Sequence, residues 1–391
     1  MKHYNYIFAG AGLSALMTVY KIVKSGNFSD KTILLLDENS KKINDRTWCF
    51  WEEKNETWDA IVTKKWNSAL YSDPSRLVEI DLAPKKYNQI RSINFYNFVL
   101  NEISKQENIT FENQKVIEFE EVENHITVHT GSEIYTCDQL FNSILDPFEV
   151  ENQTRFPLLK QHFIGWFIQT EQEIFNPEQA MFMDFSVEQK GNTRFMYVLP
   201  NSKTEALLEY TLFSHAHLET QEYESEIELY IQKLGITNYK IVEKERGSIP
   251  MSCFPFWKNN TKRLINIGSA GGWTKASTGY TFKNADKKST QLVDFLQTKT
   301  DFKQFHKINK FWFYDLLLLD ILFNKNEIGA TIFSALFTKP NPQLNFKFLD
   351  EETSFWEDLQ IIWKCPKGLF IKGLFDLIFK FNFLSNYNKT L

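Results

Sequence analysis

A basic surplus, closely spaced cysteines and long apolar runs are all missing from this sequence of 391 residues. The formal charge is −5 at neutral pH. There is no broad cationic face to displace counterions from a phosphate backbone, which argues against a nucleic-acid binder. The four cysteines, Cys49, Cys137, Cys253 and Cys365, stand far apart. They show no metal-ligand spacing, so no metal is expected, and the pattern fits thiols kept reduced in a cytoplasm. Met1 leads almost at once into the apolar run ending at Ala9, without the basic start and apolar core of a secretory leader. The longest apolar run, residues 311–323, falls short of the ~20 residues a spanning helix needs and contains Asp315 and Asp320. No membrane-crossing segment is expected.

Aromatic residues, by contrast, are abundant: 36 Phe, 15 Tyr and 10 Trp. An AT-rich gene raises Phe, Asn, Lys and Ile together, so only local clusters of aromatics bear on function. The length allows two domains, or one large domain with an insertion. Glycine is sparse, 15 in all, yet six of them fall in two short stretches. In the first, a strand-like run is followed by Gly10-Ala11-Gly12-Leu13-Ser14-Ala15 and then a helical pattern. In such a G-x-G-x-x-A turn Gly10 permits the tight turn, Gly12 lets the backbone approach a pyrophosphate, and Ala15 lets helix pack on strand. The helix N-terminus offers free N–H groups to the phosphates. A second strand, residues 31–38, ends near Asp37, placed to accept hydrogen bonds from an adenosine ribose.

The second stretch is "GSAGGWTKASTGY", residues 268–280, after the apolar run Leu264–Ile267. Its lysine does not directly follow the last glycine, so it is not a nucleotide-hydrolysing P-loop. Flavoproteins with this kind of N-terminus carry a late glycine-rich turn that returns to cover FAD, usually with Asp after its first glycine. Here that position is Ser269. Gly268, Gly271, Gly272 and Gly279 would allow close backbone approach. Thr274, Ser277 and Thr278 would supply hydroxyls or cap a helix starting near Gly279. Lys275 would either favour an anionic flavin or point into solvent.

Between the two corners, residues 155–260 show four strand-like runs and one helix-like segment. The expected fold is α/β: a Rossmann-like FAD-binding domain of the hydroxylase or glutathione-reductase type, formed by residues 1–150 and 261–300. A β-sheet substrate domain, residues 151–260, would be inserted in it, and a helical, aromatic-rich region, residues 301–391, would follow.

Six motifs in series are more specific: "DRTWCFWE" (45–52), "FMDF" (182–185), "FMYVLP" (195–200), "LLEYTLFS" (207–214), "ERGSIPM" (245–251) and "IGSAGGWTKASTGYTF" (267–282). Together they resemble the FAD-dependent lycopene cyclases, and most of all the bacterial lycopene β-cyclases, from residue 4 to about 290 with a looser match beyond. The resemblance implies conversion of the acyclic ends of lycopene to β-ionone rings. This is an isomerisation without net redox change. It needs reduced FAD, with NAD(P)H as the usual electron source. The broader flavoprotein alternative is a monooxygenase or desaturase acting on another apolar substrate.

Protonating an alkene calls for a strong acid in a dry pocket, with the cation screened by electron-rich or anionic groups. Glu209 sits in a strand-like run sharing a face with Leu207, Thr211 and Phe213. On that apolar face desolvation would keep it protonated. The residues alone fit an edge carboxylate facing water better, and the resemblance reverses that choice. By resemblance Asp184 is the second acidic candidate, either a proton relay or a tie for its loop. Glu245 would hydrogen-bond near the flavin or serve the structure, and Pro250 would shape a turn against the ring. Arg46 would contact FAD or pair with an acid. Trp48, Phe50 and Trp51 would line a polyene channel or belong to the core.

The tail "KCPKGLFIKGLFDLIFKFNFL" places Lys364, Lys372, Asp376 and Lys380 at spacings that are multiples of four. As one helix it would carry a narrow charged stripe and a wide apolar face with Phe370, Phe375, Phe379 and Phe383. That pattern fits a helix on a membrane surface, or one buried in an ordinary core. The whole reading is a cytoplasmic enzyme held peripherally at the membrane, its oligomeric state open.

Overall fold

The computed structural model describes residues 1–387. One sheet of seven strands runs in the order Ile109–Glu112, Ile33–Leu36, Lys2–Ala9, Ile134–Asn142, His125–Thr130, Val116–Val122, with Leu264–Asn266 also paired to Ile134–Asn142. The pairs among Ile109–Glu112, Ile33–Leu36, Lys2–Ala9, Ile134–Asn142 and Leu264–Asn266 are parallel. Ile33 to Leu36 are all fully buried, the unbroken apolar run a strand needs when both faces are covered. The helices Leu13–Ser25 and Phe282–Leu296 pack on one face, joined through the hydroxyls of Thr18 and Ser289 at 2.9 Å. Beneath them Phe8 stacks on Phe141 with ring centroids 4.4 Å apart.

A second sheet of seven strands runs Tyr239–Met251, Leu159–Thr170, Glu205–Ser214, Thr193–Pro200, Gln179–Asp184, Ser68–Asp73, Arg76–Asp81. The expected insertion supplies its first five strands. The last two, a hairpin, come from the segment assigned by sequence to the FAD-binding domain. They join by a parallel pairing of Ser68–Asp73 with Gln179–Asp184, a contact across more than a hundred residues that no local pattern encodes. Strand alternation gives this sheet two different faces. Leu208, Tyr210 and Leu212 pack with Tyr223, Ile227 and Tyr230 of the helix Thr220–Lys233. Leu207 and Phe213 belong to the opposite face, with Leu316, Leu319 and Phe333 of the C-terminal helices. Glu209 shares their parity.

The tail departs from the expected single helix. Helix Phe355–Lys364 stops before Pro366, and a new helix, Lys367–Tyr387, begins. Proline lacks the N–H that a continuous helix would use there and clashes with the preceding turn. Lys364 is therefore not on a stripe with Lys372. Its Nζ donates to the carbonyls of Pro340 and Asn341 and to Asn345 Oδ1. The last helix packs on Lys310–Asn324 at Gly373, where a Cβ would come within 2.7 Å of Ile321. Leu377 is buried and Phe370 half-buried, while Ile371, Phe375 and Phe379 are exposed. The side chains of Lys380 and Phe383 lie outside the described residues. Among the described residues no helix is long and apolar enough to cross a membrane.

Candidate functional site

Between the two sheets lies a cleft of about 510 Å³, walled by both glycine-rich corners. At the first corner Gly10 takes φ +84°, and a Cβ there would sit 2.4 Å from Ser143 Oγ. The helix Leu13–Ser25 begins with Gly12 as its cap and no side chain on its first N–H groups. Gly12, Leu13 and Ser14 line the cleft, so these free donors and the positive helix end face it. Asp37 is engaged elsewhere. Its carboxylate accepts from the Ala11 N–H at 2.6 Å and the Asn39 N–H at 2.8 Å, and pairs with Lys41 at 2.9 Å. It buttresses the turn, and Asn39 and Lys41 line the cleft in its stead. Ala15 is fully buried in the helix core.

The second corner is a short 3-10 turn, Gly268–Gly271, not a direct strand-to-helix passage; the helix that follows starts only at Phe282. Gly268, at φ +57°, is so near the first corner that its Cβ would lie 3.2 Å from Ser14 Oγ. Gly268, Ser269, Thr274, Thr278 and Gly279 line the cleft. Gly271 and Gly272 do not. They allow packing against the Asn266 carbonyl and the Phe256 ring. Lys275 departs from both sequence expectations, since it neither faces the cleft nor reaches solvent. It is 3% exposed, and its Nζ lies 3.0 Å from both Asp315 oxygens and 3.2 Å from Glu351. Ser277 turns the same way, donating to Asp315 at 2.7 Å. Burial disfavours the Lys275 cation, but the charges of Asp315 and Glu351 outweigh that and hold its pKa above the usual lysine value.

On the far wall stand Glu209 and Glu245, and Gly165 explains how they meet. The strand Leu159–Thr170 runs between theirs, with Gly165 paired to Glu209 on one side and to Glu245 on the other. A Cβ at Gly165 would lie 3.2 Å from Glu245 Cγ and 3.4 Å from Glu209 Cβ. With no side chain there, the two glutamates face each other across the central strand, near enough for each to shift the other's ionisation. Thr211 donates to Glu209 Oε1 at 2.6 Å and Thr47 to Glu245 Oε2 at 2.8 Å. Loss of solvent, then the charge of Glu245, pushes the Glu209 carboxyl up to about 8. Burial raises Glu245 too, against the opposing effects of Thr47 and the Arg91 cation.

Behind the cleft lies a second cavity of about 320 Å³, walled mainly by aromatic and aliphatic side chains such as Phe182, Phe195, Phe213 and Phe333. The two cavities share Gln161, Tyr197, Thr278 and Tyr280. The Tyr197 and Tyr280 hydroxyls are 3.5 Å apart. Gln161 is 8% exposed, and neither its Oε1 nor Thr278 Oγ1 has a hydrogen-bond partner among the described residues. Gly279, at φ +74°, makes room for that amide, since a Cβ would meet Oε1 at 2.4 Å.

The other sequence candidates divide. Arg46, Trp48 and Pro250 line the cleft. Arg46 donates to its neighbour's carbonyl, Asp45 O, at 2.6 Å. Pro250 lies within the strand Tyr239–Met251, not at a turn. Phe50 is a core residue, 3% exposed and stacked on Phe282 at 4.6 Å. Asp184 lines neither cavity. A register shift after Met181 turns it towards the helix Thr220–Lys233, where Tyr230 donates to it at 2.7 Å; it also accepts from the Ser186 N–H at 2.9 Å. That geometry is a tie between strand and helix. Gly165, Gln161, Tyr197 and Tyr280 join the site from the structure alone. Gly165 alone carried a signal, a lone glycine inside an apolar strand, which marks a close approach.

A family model described as "Lycopene cyclase protein" matches residues 6–371. The chain belongs to the lycopene cyclase family. A curated lycopene beta-cyclase from a Paracoccus species is 30% identical over 130 residues, 32% of this chain and 33% of the relative. The match with that relative therefore spans about a third of its length. Among solved structures, the fold is shared with a geranylgeranyl bacteriochlorophyll reductase-like protein of Thermoplasma acidophilum. The TM-score there is 0.62 at 12% identity, over 96% of this chain and 100% of that one. A p-nitrophenol 4-monooxygenase of Pseudomonas putida follows with TM-score 0.58 at 12% identity, over 93% and 98%. A flavin-dependent brominase gives 0.58 at 10% identity over the full length of both. This lycopene cyclase family member thus has the α/β fold expected from its sequence, with two large sheets, a small three-stranded one and a helical C-terminal region.

Proposed function

We propose that this family member is a lycopene β-cyclase that holds FAD in the cleft and one acyclic end of a carotene in the apolar cavity. One observation carries the reading: a carboxyl group kept protonated by burial, Glu209, faces the cleft where it joins a cavity of hydrocarbon side chains. The cleft suits a dinucleotide. Helix N–H groups at Gly12–Ser14 would hold its phosphates, Gly268 and Ser269 would close over it, and Arg46, Thr278 and the unpartnered Gln161 Oε1 would meet its polar edge. In reduced form, with NAD(P)H as the proposed electron donor, FAD would supply electron density beside the developing cation.

The chain's own chemistry is acid–base. Glu209 gives its proton to the terminal double bond, the neighbouring alkene closes on the cation to form a six-membered ring, and the ring then loses a proton. The substrate is isomerised with no change in mass, which makes the enzyme an intramolecular lyase. The faces of Tyr197 and Tyr280, at the junction of the cavities, screen the cation.

A carotene is dissolved in the bilayer, and the apolar cavity is lined on its outer side by exposed Phe313, Ile362 and Ile371. Close by in sequence stand Trp356 (73% exposed), Trp363 (71%) and Phe379 (70%). This face is proposed to rest on the cytoplasmic membrane surface, with Lys367 and Lys372 at the headgroups. Anaerobic incubation with lycopene in liposomes and reduced FAD tests the function. A ring-bearing product of unchanged mass is expected. A product that gains oxygen or loses hydrogen, with NAD(P)H consumed in proportion, would overturn the cyclase reading in favour of a monooxygenase or desaturase.

A further inference from the structure

We infer that Glu245 is a second catalytic residue of this site: it and Glu209 share one proton across Gly165, and the Glu245 carboxylate takes up the proton that the closing ring releases. The inference rests on the cyclase reading of the cleft. Two carboxyl groups set side by side across Gly165 and away from water cannot both ionise without facing a like charge, so they hold a proton between them. Thr211 and Thr47 each donate to one carboxyl oxygen, Glu209 Oε1 and Glu245 Oε2, leaving an oxygen on each residue for the other. Both residues line the same cleft, beside the cavity junction at Tyr197 and Tyr280.

The asymmetry of the pair assigns the roles. Arg91 favours the ionised form of Glu245, and the charge of Glu245 in turn favours the protonated form of Glu209. The other titratable or charged groups facing the pair are Cys49, Tyr87, Tyr197, Tyr280 and Glu243. The thiol and the three phenols are all held neutral by burial, so none competes as the base.

The proton count closes without water or an outside base. Glu209 loses its proton to the terminal alkene carbon, forming a C–H bond and a carbocation. For that moment two carboxylates face the cation, which stabilises it. The second alkene's electron pair forms the ring C–C bond. A C–H bond of the ring cation then breaks, its electrons complete the ring double bond, and its proton passes to Glu245. The contact across Gly165 returns that proton to Glu209, ready for the next end.

The test uses FAD-loaded protein with lycopene liposomes, comparing wild type, Glu245→Gln and Gly165→Ala, with retained flavin absorbance as the check on folding. Two-limbed pH dependence is expected of the wild type, with Glu245 ionised and Glu209 protonated in the active form. Glu245→Gln removes the charge that raises Glu209. Its alkaline limb should move down by about one pH unit or more, its acid limb should vanish, and turnover should fall on the order of 10²-fold. The infrared carboxylic-acid band of the resting enzyme should titrate at the same lower pH. Gly165→Ala, whose new methyl group would meet Leu207 Cδ1 at 2.8 Å and crowd Glu245 Cγ at 3.2 Å, should move limb and band the same way by a smaller amount. If wild type cyclises lycopene but neither variant moves limb or band, the inference fails while the proposed function stands. If wild type cyclises nothing, the proposed function fails, and this inference with it.

Discussion

At the scale of the residue, the proposed function turns on one carboxyl group, Glu209, whose surroundings oppose its ionisation. Replacing Glu209 by Gln keeps size and polarity but removes the transferable proton. Turnover is expected to fall by about 10²–10⁴-fold, while flavin absorbance and binding stay at wild-type level. Substantial residual cyclisation would move the acid role elsewhere. The pH dependence has a definite sign. Glu209 is raised to about 8 in the folded protein, so the acid form, and with it the rate, is lost as pH rises through that value. Stability follows the same proton. A raised carboxyl contributes stability fully present below its unfolded pKa, near ~4.3, and that contribution is lost as pH rises through the folded value. Glu209→Gln should therefore melt above wild type at pH 9, with the gap closing as the pH approaches 4. Melts showing the same gap at both ends would contradict the raised pKa.

At the scale of the element, the late glycine-rich loop is anchored from behind. Lys275 ties it to buried Asp315 of the helix Lys310–Asn324 and to half-buried Glu351. Lys275→Met would leave two acids unpaired, Asp315 nearly fully buried, which costs on the order of 3–5 kcal/mol. Urea denaturation should show that loss, and adding Asp315→Asn should restore part of it; no recovery would mean the two do not act as a pair. This anchor was not legible in the sequence. A lysine among glycines and hydroxyls reads as facing a ligand, and only the packing of a helix forty residues later turns it inward. The corners themselves were legible, because positive φ at Gly10, Gly268 and Gly279 is a local demand that glycine meets at least cost.

At the scale of the whole molecule, the C-terminal helices both line the apolar cavity and expose aromatic side chains. Replacing Trp356 and Trp363 together by Ser removes two large exposed rings without touching the core. Co-flotation with liposomes is expected to fall several-fold, while turnover of detergent-dispersed lycopene is retained. Unchanged flotation would return these residues to ordinary surface. The sequence pattern hinted at such a face, but it drew one continuous helix where Pro366 divides two.

Taken alone, the order of residues determined what is local or repeated at short range. It set the two glycine corners, the alternation that puts Glu209 on the face of Leu207 and Phe213, and the motif series by which the family is recognised. Tertiary structure decided everything that depends on which distant segments meet. It sent Asp184 to Tyr230 and Phe50 to the core, drew the hairpin at residues 68–81 into the second sheet, and set Glu245 against Glu209 across a glycine. A side chain's direction follows from its own backbone, but its partner is chosen by chain segments tens to hundreds of residues away.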